Sequence, residues 1–557
     1  MQGESNSNMP VEQAEDYSLG WNGVGMILLF GISLLIAYHL SCRTLTMHEV
    51  IFAQPAKEML ASGDYLVPRV AGVVFSDKPL LTMWLIAGCI QLFGNDSEWV
   101  VRLPSSIAML LTALMIAMTA ARWLGRRVGI LAGLIQLTCY YMLQMGTLAE
   151  ADMLLICAVT ACYCWFAWVN IDSPVGMLSG TYTPWVFHAL LGLAFMIKGP
   201  VGIILVALGL GSYMVVSRQW SLLWFFFHPG GMLLIAVMAL PYPVLAGLRH
   251  PPIFDEWMYH NWGRFRGEMS HLQPPQPMLF YVYHLPLMLL PAAPWLVLGC
   301  WGKTIWRKPI TWWAWCWCIP GLLFLSCSAW KWKHYMSPLL PGLTLLMAVG
   351  LERWLFAMAE TLHRIWRPLM CAVGLIAGIC IAVVLVSQPL GMMPLLVLIP
   401  VLTLAALFVL EVSYRRRQGI LLPSLALLTW AMIVSTFCIV MPVYDQFREQ
   451  TELAERINQR TDLLEPVHLV NMGYDQIIYY LKKPIVRMDH WDDFLREMQY
   501  TTTTIYVLVK PSDINKLRPL GAVKTLDDCR NTSQRNEARE SLILVKIEPL
   551  QQAEYRE

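Results

Sequence analysis

The sequence predicts an α-helical polytopic membrane protein that ends in a small α/β domain. The 557 residues are 57% hydrophobic and only 14% charged, whereas soluble domains are nearer one quarter charged. The apolar residues form repeated runs of about 18–22 residues, long enough for helices to cross ~30 Å of hydrocarbon. The 24 Trp and 21 Tyr suit the membrane–water interface, where amphipathic rings are favoured.

The apolar runs predict about thirteen transmembrane helices. They lie at 22–40, 102–121, 128–147, 152–170, 184–197, 199–216, 227–247, 278–300, 311–327, 335–352, 369–387, 393–412 and 420–440. The run at 79–93 would reach only about 22 Å as a helix, which suits a surface helix better than a span. The polar N-terminal tail 1–20 resembles no cleavable signal peptide, so the first run is interpreted as an uncleaved anchor.

Positive charge predicts the orientation of the transmembrane domain, 21–441. If 79–93 lies on the surface, five loops on one face all carry Arg or Lys, and they are 122–127, 217–220, 302–309, 352–367 and 414–418. The positive-inside rule makes that face cytoplasmic. The periplasmic face then carries the first loop 41–101, the later loop 248–277 and the C-terminal domain 442–557.

Short patterned segments predict the structure outside the membrane. In the first loop we expect helices at 48–61, beginning after Thr46, and at 79–93. In the C-terminal domain, "HLVNMG", "PIVRM" and "TTIYVLV" are typical of strands. There, "DQIIYYLK" and "HWDDFLREMQ" are typical of helices.

Ionisable residues gather on the predicted periplasmic face, where charges beside a bilayer indicate a binding site. The cationic candidates are Arg69, Lys78, Lys198, Arg264 and Lys331, and the acidic or imidazole candidates are His48, Glu49, Asp77, Asp152 and His271. Lys198 lies in "FMIKGPVG", where Gly-Pro ends a helix and leaves an ammonium suited to phosphate. Asp152 opens an apolar helix, so an N-cap role is its structural alternative.

Several motifs resemble those of the integral-membrane glycosyltransferases that use polyprenyl-phosphate sugars, the GT-C family of protein O-mannosyltransferases and lipid A aminoarabinose transferases. They are "EMLASGDYLVPR", "DKPLL", "VRLPS", "FMIKGPVG", "EMSHLQPPQPMLFYVYHLPLMLLPAAPW" and "KWKHYMSPLLP". The aminoarabinose branch is the more similar one. The motifs cover about 45–345, and the architecture extends the resemblance to the end of the chain.

The resemblance implies transfer of a sugar from undecaprenyl phosphate, with the phosphate as leaving group. Lys78, Lys198 and Lys331 would stabilise the charge on that phosphate, helped by Arg69 and Arg264. A carboxylate or imidazole would accept the acceptor's proton. The family has Asp-Glu after its first helix, whereas this chain has His48-Glu49. The proton acceptor is therefore Glu49, His48 or Asp152, unless the chain is a non-catalytic relative.

A divalent metal is a further implication of the aminoarabinose branch, through Asp77 and His271. Two ligands are fewer than a zinc site normally needs, so we favour an ion pair at Asp77 and expect no required cofactor.

We therefore predict a monomeric bacterial inner-membrane enzyme that moves a sugar from undecaprenyl phosphate to an envelope acceptor, with its active site on the periplasmic side. Lipid A is the favoured acceptor, and a protein or another glycan is the alternative. A lipid transporter or flippase, or a non-catalytic lipid-binding scaffold, are the rival classes. The net charge of +2 is uninformative by itself, and no dense basic run indicates nucleic acid, so we expect no nucleic-acid partner.

Overall fold

The structure is a computed structural model in which the described residues form two compact units. They are 16–40, 43–172, 177–178, 180–259, 263, 266, 276–357, 426–427, 429–431, 433–434, 448–460, 466–473, 475–501, 503–528 and 542–549. The membrane unit comprises Met1–Ser41, Asp77–Thr82 and Arg102–Val443, and the sheet unit comprises Cys42–Ser76, Met83–Val101 and Tyr444–Glu557.

Helices dominate the membrane unit. They are α1 (Gly20–Leu40), α4 (Glu98–Leu124), α5 (Arg126–Thr138), α6 (Tyr140–Gly146), α7 (Ala151–Asn170), α8 (Thr183–Lys198), α9 (Pro200–Ser217), α10 (Leu222–Phe226), α11 (Pro229–Ala239), α12 (Pro241–Arg249), α13 (Pro252–Met258), α14 (Phe280–Met288), α15 (Ala293–Gly299), α16 (Lys303–Trp306), α17 (Pro309–Cys327) and α18 (Leu340–Glu352). A 3₁₀ helix, Lys333–Leu339, precedes α18, and a π-helical turn, Arg353–Ala357, follows it. The first residues of α4 belong to the sheet unit.

Seven helical stretches among the described residues are long and apolar enough to cross a membrane, or nine if each of two bent pairs is one span. These account for the predicted spans up to 352, except that α8, predicted at 184–197, has 16 residues and falls below that length. The predicted spans 369–387, 393–412 and 420–440 lie outside the described residues, apart from a few positions between 426 and 434. The protein is thus a multi-pass membrane protein, and the count of thirteen stays a prediction.

Two predicted straight spans are bent. The span predicted at 128–147 is the pair α5 and α6, which meet at 65°, and the span predicted at 278–300 is the pair α14 and α15, which meet at 99°. In the second pair Pro286 and Pro291 interrupt the backbone hydrogen-bond ladder, because proline lacks an N–H and clashes with the preceding turn. Hydropathy detects the apolar run but not such a bend.

Close packing fixes helix α7, which carries Asp152. Tyr163 of α7 stacks on Trp317 of α17, with ring centroids 4.2 Å apart, and its hydroxyl donates to the Leu205 carbonyl of α9. A Cβ at Gly209 would overlap that hydroxyl, so only glycine lets α9 approach this closely. These contacts hold α7, α9 and α17 together.

The sheet unit contains the remaining elements. They are α2 (Met47–Ser62), β1 (Arg69–Val70), β2 (Val73–Val74), α3 (Leu81–Phe93), α19 (Arg448–Gln459), β3 (Val467–Val470), α20 (Ile477–Tyr480), β4 (Ile485–Met488), α21 (Trp491–Tyr500), β5 (Ile505–Val509), α22 (Ile514–Leu517), β6 (Gly521–Asp528) and β7 (Ile543–Pro549). Strands β1 and β2 form a short antiparallel hairpin. The first two residues of α3 belong to the membrane unit.

A five-stranded mixed sheet with the order β4-β3-β5-β7-β6 organises the C-terminal part. Strand β3 is parallel to β4 and β5, whereas β7 is antiparallel to β5 and β6. Alternate residues of β5 and β7, such as Val507 and Val545, pack with Phe494 and Met498 of α21 in one apolar core. This is the period of two that a strand imposes on its side chains.

The three predicted strands and two predicted helices of this part are all present, as β3, β4, β5, α20 and α21. Strands β6 and β7 and helix α19 were not predicted. The first-loop helices predicted at 48–61 and 79–93 are α2 and α3. Helix α3 has 13 residues, about 20 Å in length, and its location on the membrane surface remains a prediction.

Candidate active site

The Lys-Gly-Pro segment separates two helices, as the sequence predicts. Lys198 is the last residue of α8, Gly199 caps that helix with φ of 74°, and Pro200 opens α9. A positive φ favours glycine, and proline is tolerated at the first helical position because its missing N–H is not needed there. The break leaves the Lys198 ammonium at a helix C-terminus, where the helix dipole favours a cation.

Asp152 is the partner of Lys198. The Nζ of Lys198 lies 2.6 Å from Oδ1 of Asp152, and the two side chains are 12% and 8% exposed. Asp152 lies in the first turn of α7, where the dipole favours an anion. The N-cap of α7 is Glu150, so the N-cap alternative for Asp152 is not what the structure contains.

Further ionisable groups surround this pair. Lys78 and His334 both interact electrostatically with the Asp152 carboxylate. Lys78 also pairs with Asp77, with Nζ 3.1 Å from Oδ2, and both side chains are largely buried. The structure therefore brings Lys78, Asp152 and Lys198 together within the membrane unit.

Two tyrosines extend the cluster. The Lys198 ammonium lies over the Tyr335 ring, 5.6 Å from its centroid, and the Tyr242 hydroxyl donates to the Lys78 carbonyl at 3.4 Å. Neither tyrosine was singled out from the sequence, nor was His334. Both His334 and Tyr335 lie in the quoted element "KWKHYMSPLLP", so that motif contained the signal, whereas nothing local marks Tyr242.

Lys331 is a buried cation without a carboxylate partner among the described residues. The residue is 3% exposed, and its ammonium donates to the carbonyls of Ser328 and Gln276. Burial lowers the pKa of Lys331, because a charge loses hydration there. An anion would offset that cost, so Lys331 is a natural place for a phosphate group.

The "VRLPS" motif supports the segment that leads into α7. The Ser105 hydroxyl donates to the Glu150 carbonyl at 3.3 Å, and the Ser106 hydroxyl donates to the Gly146 carbonyl at 3.1 Å. Arg102 is 1% exposed, and its guanidinium lies 5.5 Å from the Tyr38 ring centroid. The two hydrogen bonds therefore connect α4 to the residues before Asp152.

In the sheet unit, the His48-Glu49 pair opens helix α2. Thr46 is the N-cap, as predicted, and a capping box is complete: the Thr46 N–H donates to Glu49 Oε2 at 2.8 Å, and the Glu49 N–H donates to Thr46 Oγ1 at 3.3 Å. Glu49 is fully buried, whereas His48 is exposed. The capping box gives Glu49 a structural function and leaves His48 the accessible member of the pair.

Other predicted site residues are not gathered in this way. Arg69 is exposed on the β1–β2 hairpin and donates to the Gly72 carbonyl at 3.1 Å. Arg264 and His271 lie outside the described residues. Among the residues the structure does describe, no three or more His, Cys, Asp or Glu side chains converge as a metal site would require, and the role of Asp77 and His271 in metal binding stays a prediction.

The chain is similar in sequence to known sugar transferases. A family model described as dolichyl-phosphate-mannose-protein mannosyltransferase matches residues 77–244. The chain is 29% identical over 346 residues to an undecaprenyl phosphate-alpha-4-amino-4-deoxy-L-arabinose arabinosyl transferase of Aeromonas salmonicida, covering 60% of each chain. It is 30% identical over 321 residues to the protein of that name from Edwardsiella ictaluri, covering 55% of each. Both matches span less than two thirds of the relatives' length.

The fold similarity extends over nearly the whole chain. The crystal structure of ArnT from Cupriavidus metallidurans bound to undecaprenyl phosphate superposes with a TM-score of 0.76 at 20% identity, covering 94% of this chain and 98% of that one. The chain therefore shares the fold of that ArnT structure, and parts of it are similar in sequence to mannosyltransferases and arabinosyl transferases, as the sequence motifs predict. Both sequence relatives named above are arabinosyl transferases.

Proposed function

We propose that this protein transfers a sugar from undecaprenyl phosphate to an acceptor in the bacterial envelope. The cluster of Lys78, Lys198 and Asp152 is the observation that carries the proposal, because charges this well buried in a membrane protein are costly and mark functional sites. The relatives' names supply the donor class, undecaprenyl phosphate carrying 4-amino-4-deoxy-L-arabinose.

The lysines bind the phosphate of the donor. Lys78 and Lys198 each face a carboxylate, whereas Lys331 faces carbonyls only among the described residues. Three ammonium groups against two carboxylates leave one positive charge for the ligand. That charge stabilises the negative charge that grows on the phosphate as the sugar–phosphate bond breaks.

His48 accepts the proton in this mechanism. An acceptor O–H oxygen attacks the anomeric carbon, the bond from that carbon to the phosphate oxygen breaks, and undecaprenyl phosphate leaves with the bonding electrons. The proton passes to a neutral imidazole, which is available near pH 7. The capping box supports His48 over Glu49, because Glu49 is buried and bound to the Thr46 N–H. Asp152 is the less favoured alternative, because Lys198 already matches its charge.

We place the reaction at the periplasmic face of the inner membrane of a monomeric enzyme with no required cofactor. The support is the Arg- and Lys-rich character of the loops predicted for the opposite face. Lipid A is the favoured acceptor, because the chain resembles the aminoarabinose branch more than the O-mannosyltransferase branch.

The deciding experiment compares envelopes from cells with and without this chain by mass spectrometry of lipid A and of glycoproteins. An added sugar on lipid A that depends on the chain supports the proposal. If the added sugar is found on a protein or another glycan instead, the proposed acceptor is wrong but the proposed type of reaction still holds. No transfer by the purified chain, with donor redistribution across vesicles, would make it a flippase, and donor binding alone would make it a scaffold.

Variants of His48 test the proton acceptor. His48→Ala should lower kcat about 100-fold or more, as for loss of a general base, while His48→Asp restores the family pattern and should retain most activity. The acidic limb of the pH–rate profile should move to lower pH in His48→Asp, because a carboxylate is a weaker base than an imidazole. Full activity of His48→Ala would transfer the role to Asp152 or Glu49.

A further inference from the structure

Tyr480, the last residue of the short helix α20 in the C-terminal domain, is hydrogen-bonded to two segments of the first loop. Its hydroxyl accepts the Leu45 N–H at 2.9 Å and donates to Glu98 Oε1 at 2.9 Å. Leu45 is fully buried, so its N–H needs a partner inside the protein. The bond to Glu98 is charge-assisted, which makes it stronger than a bond between neutral groups.

The bond at Leu45 adjoins the capping box of helix α2. Leu45 immediately precedes Thr46, whose N–H is bound by Glu49. Two successive backbone amides are therefore held, the first by Tyr480 and the second by Glu49. This continuous set of hydrogen bonds fixes the backbone directly before His48, at the point where the chain enters the helix.

We propose that Tyr480 is a positioning residue for transfer, which sets the position of His48 through the Leu45–Thr46 backbone. This inference rests on the proposed role of His48 as proton acceptor. It gives the C-terminal domain a positioning role in the reaction, because the hydroxyl that holds the backbone before α2 comes from that domain.

Tyr479 provides a matched control in the same short helix, α20. Its hydroxyl donates to the Asp96 carbonyl at 2.6 Å, and its ring lies under the Lys57 ammonium, 4.3 Å from the centroid. Tyr479 thus ties the loop at Asp96, and Lys57 lies three turns along α2 from the capping box. Tyr479→Phe deletes one hydrogen bond and Tyr480→Phe deletes two, and both variants keep the ring, but only Tyr480 holds Leu45.

The experiment uses the full chain in detergent or nanodiscs, with undecaprenyl-phosphate sugar as donor. Tyr480→Phe should lower kcat about fivefold to tenfold, with the KM for the donor changed less than about twofold, since both hydrogen bonds of the hydroxyl are lost while every proposed phosphate-binding lysine is kept. Tyr479→Phe should stay within about twofold of wild type in both constants. Glu98→Ala, which removes the other partner of the Tyr480 hydroxyl, should give a smaller loss of kcat and serves if Tyr480→Phe fails to fold.

A double mutant separates positioning from general damage. If Tyr480 acts through His48, Tyr480→Phe should lower kcat no further in a His48→Ala background, because interacting sites are not additive. Additive losses, or a wild-type kcat for Tyr480→Phe and Glu98→Ala, would overturn the inference while leaving the proposed role of His48 intact. A wild-type kcat for His48→Ala would instead reject the role of His48, and the positioning role with it.

Discussion

Two lysine–aspartate pairs with nearly equal geometry lie in different surroundings. In the membrane unit, Lys198 Nζ lies 2.6 Å from Asp152, and the side chains are 12% and 8% exposed. In the sheet unit, Lys57 Nζ lies 2.7 Å from Asp96, and the side chains are 28% and 50% exposed. The same contact is therefore made once away from water and once partly in it.

The difference in burial decides what each pair can do. Burying two charges costs several kcal/mol each in lost hydration, which their attraction only partly repays, whereas a solvent-exposed pair contributes about 0–1 kcal/mol. A protein retains the first arrangement where it needs the charges, and the second where it needs a tie between segments. On this ground we assign the Lys198–Asp152 pair to the proposed site and interpret the Lys57–Asp96 pair as a structural contact.

The largest expected effect follows from breaking the buried pair. Lys198→Ala leaves the Asp152 carboxylate uncompensated, which should cost about 3–5 kcal/mol of stability and reduce transfer at least about 100-fold. The double variant Lys198→Met/Asp152→Asn removes both charges and should recover thermal stability but not transfer. Thermal unfolding in detergent and a radiolabelled transfer assay measure the two quantities. If the double variant transferred sugar at the wild-type rate, the Lys198–Asp152 pair would have no role in the reaction.

An intermediate effect is expected at Lys331. Lys331→Met removes a buried cation whose pKa burial already lowers, so stability should be unchanged or slightly higher. The KM for the donor should rise about tenfold, because a charge-assisted contact to phosphate contributes about 1.5 kcal/mol or more. Lys333→Met is the matched control, since Lys333 is exposed two residues away. Equal effects at both positions would mean that Lys331 binds no phosphate.

The smallest effect is expected for the exposed pair. Lys57→Ala should change stability by about 1 kcal/mol or less and should weaken the salt dependence of unfolding. Burial alone would raise the pKa of Asp96, but the hydrogen bond and charge of Lys57 lower it overall. Because the pKa of Asp96 is lower in the folded state, its carboxylate stabilises the fold at pH values above the unfolded-state pKa of about 4. This stabilisation is lost as the pH falls through the folded-state pKa.

The direction of this pH dependence of stability can be checked by comparing wild type with Asp96→Asn. The difference in melting temperature should be present at pH 6–7 and should vanish as the pH falls through the folded-state pKa of Asp96. A difference that grew on acidification would mean that the carboxylate destabilises the fold, and the distinction between the two pairs would then fail.

Local signals were read correctly wherever a single segment decides its own conformation. Thr46 starts helix α2, and Gly199-Pro200 separates α8 from α9, because side-chain capping and a positive φ depend on neighbours in the chain. The three strands β3, β4 and β5 were evident from their β-branched content. The bends within the apolar runs at 128–147 and 278–300 were missed, since hydropathy averages over the residues that bend.

Partnerships between distant segments were not predictable in the same way. Asp152 and Lys198 were both chosen as candidates, but their ion pair joins residues 46 positions apart. Tyr335 was quoted within a motif without a role, and the contacts of Tyr242 and Tyr480 have no local signature. Their roles follow from helices and loops that pack together, which one sequence does not reveal.

The sequence by itself determined that this chain crosses a membrane many times, that one helix ends and another begins at Gly199-Pro200, and which ionisable residues are candidates for a site. These properties follow from hydrophobic length, proline and glycine geometry and the cost of burying charge. Only the tertiary structure decided that Asp152 neutralises Lys198, that Glu49 caps a helix while His48 remains exposed, and that Lys331 is buried against carbonyls. Each of these depends on which atoms approach within about 3 Å, and that is a property of packing.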